Sequence, residues 1–247
     1  MTGTTGTDTK PTIVLVHGAF ADASSWNGVI ERLIPQGYTV VAPAGGLRGV
    51  TEDSAYLASY IGQIDGPVLL VGHSYGGAVI TNAGTDAPNV VGLVYVAAFA
   101  PDLDERLGDV TPESKDSVLM PSLDQLQYPT GRNGETAVEF VIKPDRVRES
   151  FAGDLSAEQI QLIGITQRPI SQAAFSDASR TPAWKNLPSW AVVATGDKAA
   201  GADLVESMAR RAGAEIVKID ASHVVMISHP QEVADVIVKA AEKVMKS

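Results

Sequence analysis

Apolar residues along the chain fall into short unbroken runs separated by amphipathic stretches. Thr12 to Val16, Tyr38 to Ala42, Val68 to Val71, Val90 to Ala98, Ser189 to Thr195 and Glu215 to Ile219 read as strands. Runs that are apolar at every position, with no alternation, suit strands covered on both faces, as in a parallel sheet. Between them lie helical spacings. Trp26 to Pro35 is stopped by Gly37, and Asp53 to Ile64 carries Ala55, Leu57, Ala58, Ile61 and Ile64 as its apolar positions. A small-residue helix runs from Gly77 to Gly84, another helix from about Ala202 to Ala212. The last opens at Pro230 and puts Val233, Val236, Ile237, Ala240, Ala241 and Val244 on one stripe. Strand and helix in strict alternation predict an α/β fold, a mostly parallel sheet flanked by helices through right-handed crossovers.

The alternation breaks between about Pro101 and Pro188, where prolines and charges interrupt every period. Glu135 to Ile142 reads as a strand after the turn Arg132-Asn-Gly134. Ser156-Ala-Glu-Gln159 is a capping box, with Leu155 and Ile160 spaced as a hydrophobic staple, and starts a helix. Residues 101–188 are expected to form an inserted, mainly helical lid over a core built from 11–100 and 189–247. Leu119, Met120, Phe140, Phe151, Ile163, Ile165 and Phe175 are the lid's apolar side chains available to face inward. The polar, threonine-rich residues 1–10 are expected to be a flexible terminus, unlike a signal peptide.

Composition narrows the chemistry. The 247 residues carry a net charge of -10, and the basic residues form no run, which argues against a nucleic-acid partner. There is no cysteine, so disulfides, thiolate metal sites and cysteine nucleophiles are excluded. No apolar run reaches membrane-spanning length, and a cytoplasmic location with no membrane partner is the default expectation. Oligomeric state is not fixed, and a homodimer stays open.

Val68 to Val71 leads straight into Gly72-His-Ser-Tyr-Gly76 and a helix, a G-x-S-x-G turn with the required strand before it and helix after it. Ser74 is therefore the candidate nucleophile, lifted clear of the sheet edge by a strained turn that only glycines at 72 and 76 allow. A serine hydroxyl needs a base to take its proton, and the base needs an orienting carboxylate. His17 and His73 adjoin turns they would brace, and His229 precedes the proline of the last helix. His223, in the loop after a buried strand, is left as the base. Asp197, in the Gly196-Asp197 turn, is the preferred acid, with Asp102 as its competitor and Asp220 too near His223 in sequence. The backbone N–H groups of Tyr75 and of Ala19, favoured over Phe20, are expected to form an oxyanion hole.

Gly72-His-Ser-Tyr-Gly-Gly77, His17-Gly18, Gly196-Asp197 and Ser222-His223 together resemble the α/β-hydrolase superfamily over nearly the whole chain. The layout is similar to small esterases and hydroxynitrile lyases of plants and their bacterial relatives. The resemblance implies the α/β-hydrolase fold, esterase-type acyl transfer without metal or cofactor, and a variable lid. It carries over Ser74, Asp197 and His223 as a triad, and the Ala19 and Tyr75 amides as the oxyanion hole. The lyase branch has a lysine beside the catalytic histidine, where this chain has Val224. The expected function is a serine carboxylesterase acting on small to medium carboxylic esters. The alternatives are a hydroxynitrile lyase, a cofactor-free perhydrolase or amidase, or a non-catalytic ligand-binding receptor on the same scaffold.

Overall fold

Six strands pair side by side in the order β2-β1-β3-β4-β8-β9, every ladder parallel, in a computed structural model that describes residues 9–246. Most of the expected flexible terminus, residues 1–8, lies outside the described residues. The strands are β1 (Thr12–Val16), β2 (Val40–Val41), β3 (Val68–His73), β4 (Val90–Val96), β8 (Ser189–Ala194) and β9 (Glu215–Ile219). Every residue of β3 and β8 is buried, as continuous apolar runs require of strands covered on both sides.

The long helices are α1 (Asn27–Leu33), α2 (Val50–Ile61), α3 (Tyr75–Asp86), α4 (Ala157–Thr166), α5 (Ala202–Arg211) and α6 (Pro230–Val244). Helices α1 and α6 pack together as one covering pair, and α2 and α3 as another. Gly37 ends the α1 region in a left-handed conformation, as its place after the apolar stripe predicts. Helix α2 begins three residues before the expected Asp53, because the chain turns at Gly49 rather than at the first acidic residue. No helix among the described residues is long and apolar enough to cross a membrane.

Residues 101–188 hold more sheet than expected. β5 (Leu123–Pro129) and β6 (Thr136–Ile142) form an antiparallel hairpin, and β7 (Ile170–Ser171) adds to β6. The expected strand at 135–142 is β6. Its partner β5 is half polar and largely exposed, so no alternation marks it, and pairing across the turn makes it a strand. The capping box at Ser156 and Gln159 forms with both reciprocal bonds and starts α4 where the spacing predicts.

Four segments leave the C-terminal ends of parallel strands on the same edge of the sheet: 17–20 after β1, 74 after β3, 195–200 after β8 and 220–224 after β9. This edge is where an open parallel sheet gathers a site.

Candidate active site

Ser74 stands alone between β3 and α3 with φ +53° and ψ −122°, a conformation that costs a residue with a side chain of order 1–3 kcal/mol. The glycines around it make the turn possible by close approach. A Cβ on Gly76 would lie 2.5 Å from the carbonyl oxygen of Val16, and one on Gly72 would lie 2.6 Å from that of Gly76. The turn is fixed by bonds from the Gly77 and Phe99 amides to the Ser74 carbonyl, at 2.9 and 3.2 Å. Tyr75 is the first residue of α3, so its N–H has no acceptor within the helix.

His223 and Asp197, 26 residues apart, meet in the buried interior at 2.8 Å, Nδ1 to Oδ2. The other carboxylate oxygen of Asp197 accepts from the amides of Ala199 and Ala200 at 2.8 and 3.1 Å. Asp197 is thus both a turn acceptor and a partner of the imidazole, one oxygen for each. A carboxylate at Nδ1 selects the tautomer with its proton there and leaves Nε2 as a free acceptor. Nε2 of His223 is buried and has no hydrogen-bond partner among the described residues. The two loops are joined by a bond from the Gly196 amide to the Ala221 carbonyl, 2.9 Å.

Ser74 and His223 line one cavity of about 20 Å³ together with Ala19, Phe20, Tyr75, Leu119, Phe151 and Phe175. The N–H groups of Ala19 and Phe20 donate to no protein acceptor among the described residues. Of the inward-facing lid candidates, Met120 and Ile165 instead point to solvent, Ile165 at 72% exposure. Helical spacing alone cannot tell the outer face of α4, where Ile165 lies, from its inner one.

His17 and His73 hold backbone. His17 bonds the Gly18 carbonyl through Nδ1 and accepts from the Gly45 amide at Nε2, both at 2.9 Å. His73 Nε2 donates to the His223 carbonyl at 3.0 Å, so the residue before the serine fixes the loop that carries the imidazole. Burial lowers the pKa of His17, and burial together with the neighbouring His223 holds that of His73 well below the usual 6.5. His229 bonds Ser228 at the start of α6. Asp102 is occupied elsewhere, paired with Lys185 at 2.5 Å, and Asp220 accepts from Thr195.

Two polar contacts escape sequence reading. The Tyr75 hydroxyl donates to Asp53 Oδ2 at 2.7 Å, and both groups are buried. Burial raises the pKa of Asp53, and burial followed by the charge of Asp53 drives that of Tyr75 well above 10. The available signal was position: Asp53 precedes Leu57 and Ile61 by four and eight residues, on the buried stripe of α2. The second contact joins Ser222, beside His223, to Asp154 through the serine hydroxyl. No group of three or more His, Asp or Glu side chains forms a metal-binding set among the described residues.

The profile of the alpha/beta hydrolase family matches residues 13–236, from the first core strand into the last helix. The chain belongs to the alpha/beta hydrolase family. Its six-stranded parallel sheet and the sharp turn at Ser74 are those of an alpha/beta hydrolase. The crystal structure of polyneuridine aldehyde esterase superposes with a TM-score of 0.80 at 19% identity, covering 94% of this chain and 100% of that one. Among curated relatives, a pyrethroid hydrolase of Sphingobium wenxiniae is 30% identical over 160 residues, 59% of this chain and 56% of the relative. Norfluorocurarine synthase 2 of a Strychnos species is 28% identical over 269 residues, 94% of this chain and 96% of the relative.

Proposed function

We propose that this alpha/beta hydrolase is a serine carboxylesterase that hydrolyses small to medium carboxylic esters through an acyl-enzyme on Ser74. The observation that carries this reading is His223: Asp197 holds its Nδ1, its Nε2 is buried without a partner among the described residues, and the residue lines the same cavity as Ser74. His223 takes the proton of Ser74 as the hydroxyl oxygen attacks the ester carbonyl. The Tyr75 and Ala19 amides receive the developing oxyanion. The same imidazole then protonates the departing alcohol. Water enters, His223 acts again as base, and the acid is released. Asp197 keeps the imidazole in the required tautomer throughout.

Relatives named as hydrolases and esterases support ester chemistry. Val224 speaks against the lyase alternative, since a buried valine supplies no cation for a departing anion. Ser74→Ala is expected to lower turnover of p-nitrophenyl acetate roughly a million-fold while leaving the fold intact. A fluorophosphonate probe should label Ser74 and fail on the variant. Turnover retained by Ser74→Ala would remove the serine from the mechanism.

A further inference from the structure

Beside the small cavity at Ser74 lies a second one, about 290 Å³, roofed by α4 and floored by the segment 20–28 after β1. Phe20 and Phe151 line both cavities and form the wall between them. The two rings meet edge to face with centroids 6.1 Å apart. Phe20 holds φ +59°, which a bulky side chain avoids unless its surroundings impose it. The strain sets an aromatic ring in the wall between the two spaces. Leu155, Leu162, Ile163 and Val224 give the larger chamber its apolar character.

The position of the chamber decides which half of an ester it takes. During acyl transfer the Ser74 oxygen bonds to the carbonyl carbon, the bond from that carbon to the alcohol oxygen breaks, and this oxygen receives the proton held on His223 Nε2. The alcohol half must therefore lie on the imidazole's side. The wall and chamber are on that side: the Phe151 ring is 5.1 Å from the His223 ring, and Val224 is the next residue in the chain. The space at Ser74 itself, about 20 Å³, is room for about one water. We propose that the chamber under α4 is the binding site for a bulky apolar alcohol moiety, with Phe20 and Phe151 as its gate. The substrates are then short-acyl esters of large hydrophobic alcohols. This assignment rests on the serine-esterase reading.

Two ester series separate the halves: acetates of methanol, benzyl alcohol and 1-naphthylmethanol, and methyl esters of increasing acyl length. Across the acetates kcat/KM is expected to rise about tenfold or more, and across the methyl esters to fall. Leu162→Trp, at an exposed position on α4 that lines the chamber, fills it. It should lower the ratio of kcat/KM for the naphthylmethyl ester to that for methyl acetate about tenfold. Phe151→Leu should favour the bulkier acetates further. Calorimetric titration of the Ser74→Ala protein with 1-naphthylmethanol reads the chamber without turnover, and Leu162→Trp should weaken this binding. The proposal is overturned if the alcohol does not bind, if binding ignores Leu162→Trp, or if that variant penalises long acyl chains instead. Binding sensitive to Leu162→Trp with no Ser74-dependent hydrolysis of any ester would sink the esterase reading and, with it, the leaving-group assignment.

Discussion

At the scale of the residue, Asp197 divides its two oxygens between a turn and an imidazole. The turn bonds leave the carboxylate no freedom to rotate, so the imidazole is held by a group that is itself held. Asp197→Asn keeps the shape but offers an amide, which can stabilise the wrong tautomer of His223. On the proposed mechanism it should cut kcat by several orders of magnitude, about 10⁴-fold. Asp102→Asn weakens a partly exposed pairing with Lys185 and keeps an oxygen for the Leu103 amide, and its steady-state kinetics should match the parent. Equal losses from both variants would sink the assignment of the acid. Reading along the chain leaves Asp197 and Asp102 in competition, since both follow a buried strand. Lys185, 83 residues beyond Asp102, settles where Asp102 goes, and no local pattern contains that pairing. Asp53 was hidden for a related reason: a carboxylate near a helix start reads as a favourable charge, whereas its burial depends on Tyr75 arriving from the next helix.

At the scale of the element, the strand, turn and helix around Ser74 form one tightly packed unit. A methyl group on Gly76 would meet two backbone carbonyls, of Val16 at 2.5 Å and His17 at 2.8 Å, and neither can yield without moving β1. Gly76→Ala is therefore expected to cost about 1–3 kcal/mol or more, lower Tm by several degrees, and abolish turnover by shifting the serine. Thermal melts and p-nitrophenyl acetate kinetics check both parts, and an unchanged Tm would refute the packing argument. This unit was legible because its demands are local: an apolar run, two glycines and a small-residue helix leave few alternatives. The stretch 101–188 was less so. Its helix α4 announces itself by the capping box, but β5 carries no period of its own and exists through its pairing with β6. The bond from Ser222 to Asp154 also belongs to this scale, tying that stretch to the loop that carries His223.

At the scale of the whole molecule, the buried histidines link stability to pH. His17 and His73 hold pKa values below 6.5 in the folded protein because burial penalises their charged forms. Above about pH 6.5 both states leave them neutral and they contribute no slope. Below it the unfolded chain binds protons that the native state refuses, so stability falls as pH falls. Asp53, whose pKa is raised by burial, acts in the opposite sense. Tm is therefore expected to decline from pH 6.5 towards pH 5, and His73→Gln, which can still donate to the His223 carbonyl, should flatten the decline. A Tm independent of pH across this window would contradict the burial of neutral imidazoles.

The sequence alone determined the parallel sheet, the helices that cover it, and the residues from which a site could be drawn. Those features follow from short-range rules: what a run of apolar residues must bury, where glycine ends a helix, which turn a serine between glycines can make. Tertiary structure alone decided which carboxylate reaches His223, which side chains of 101–188 face inward, and that two phenylalanines line both a small space and a large one. Each of these depends on distances between residues tens of positions apart, fixed when the strands line up in an order that is not their order along the chain.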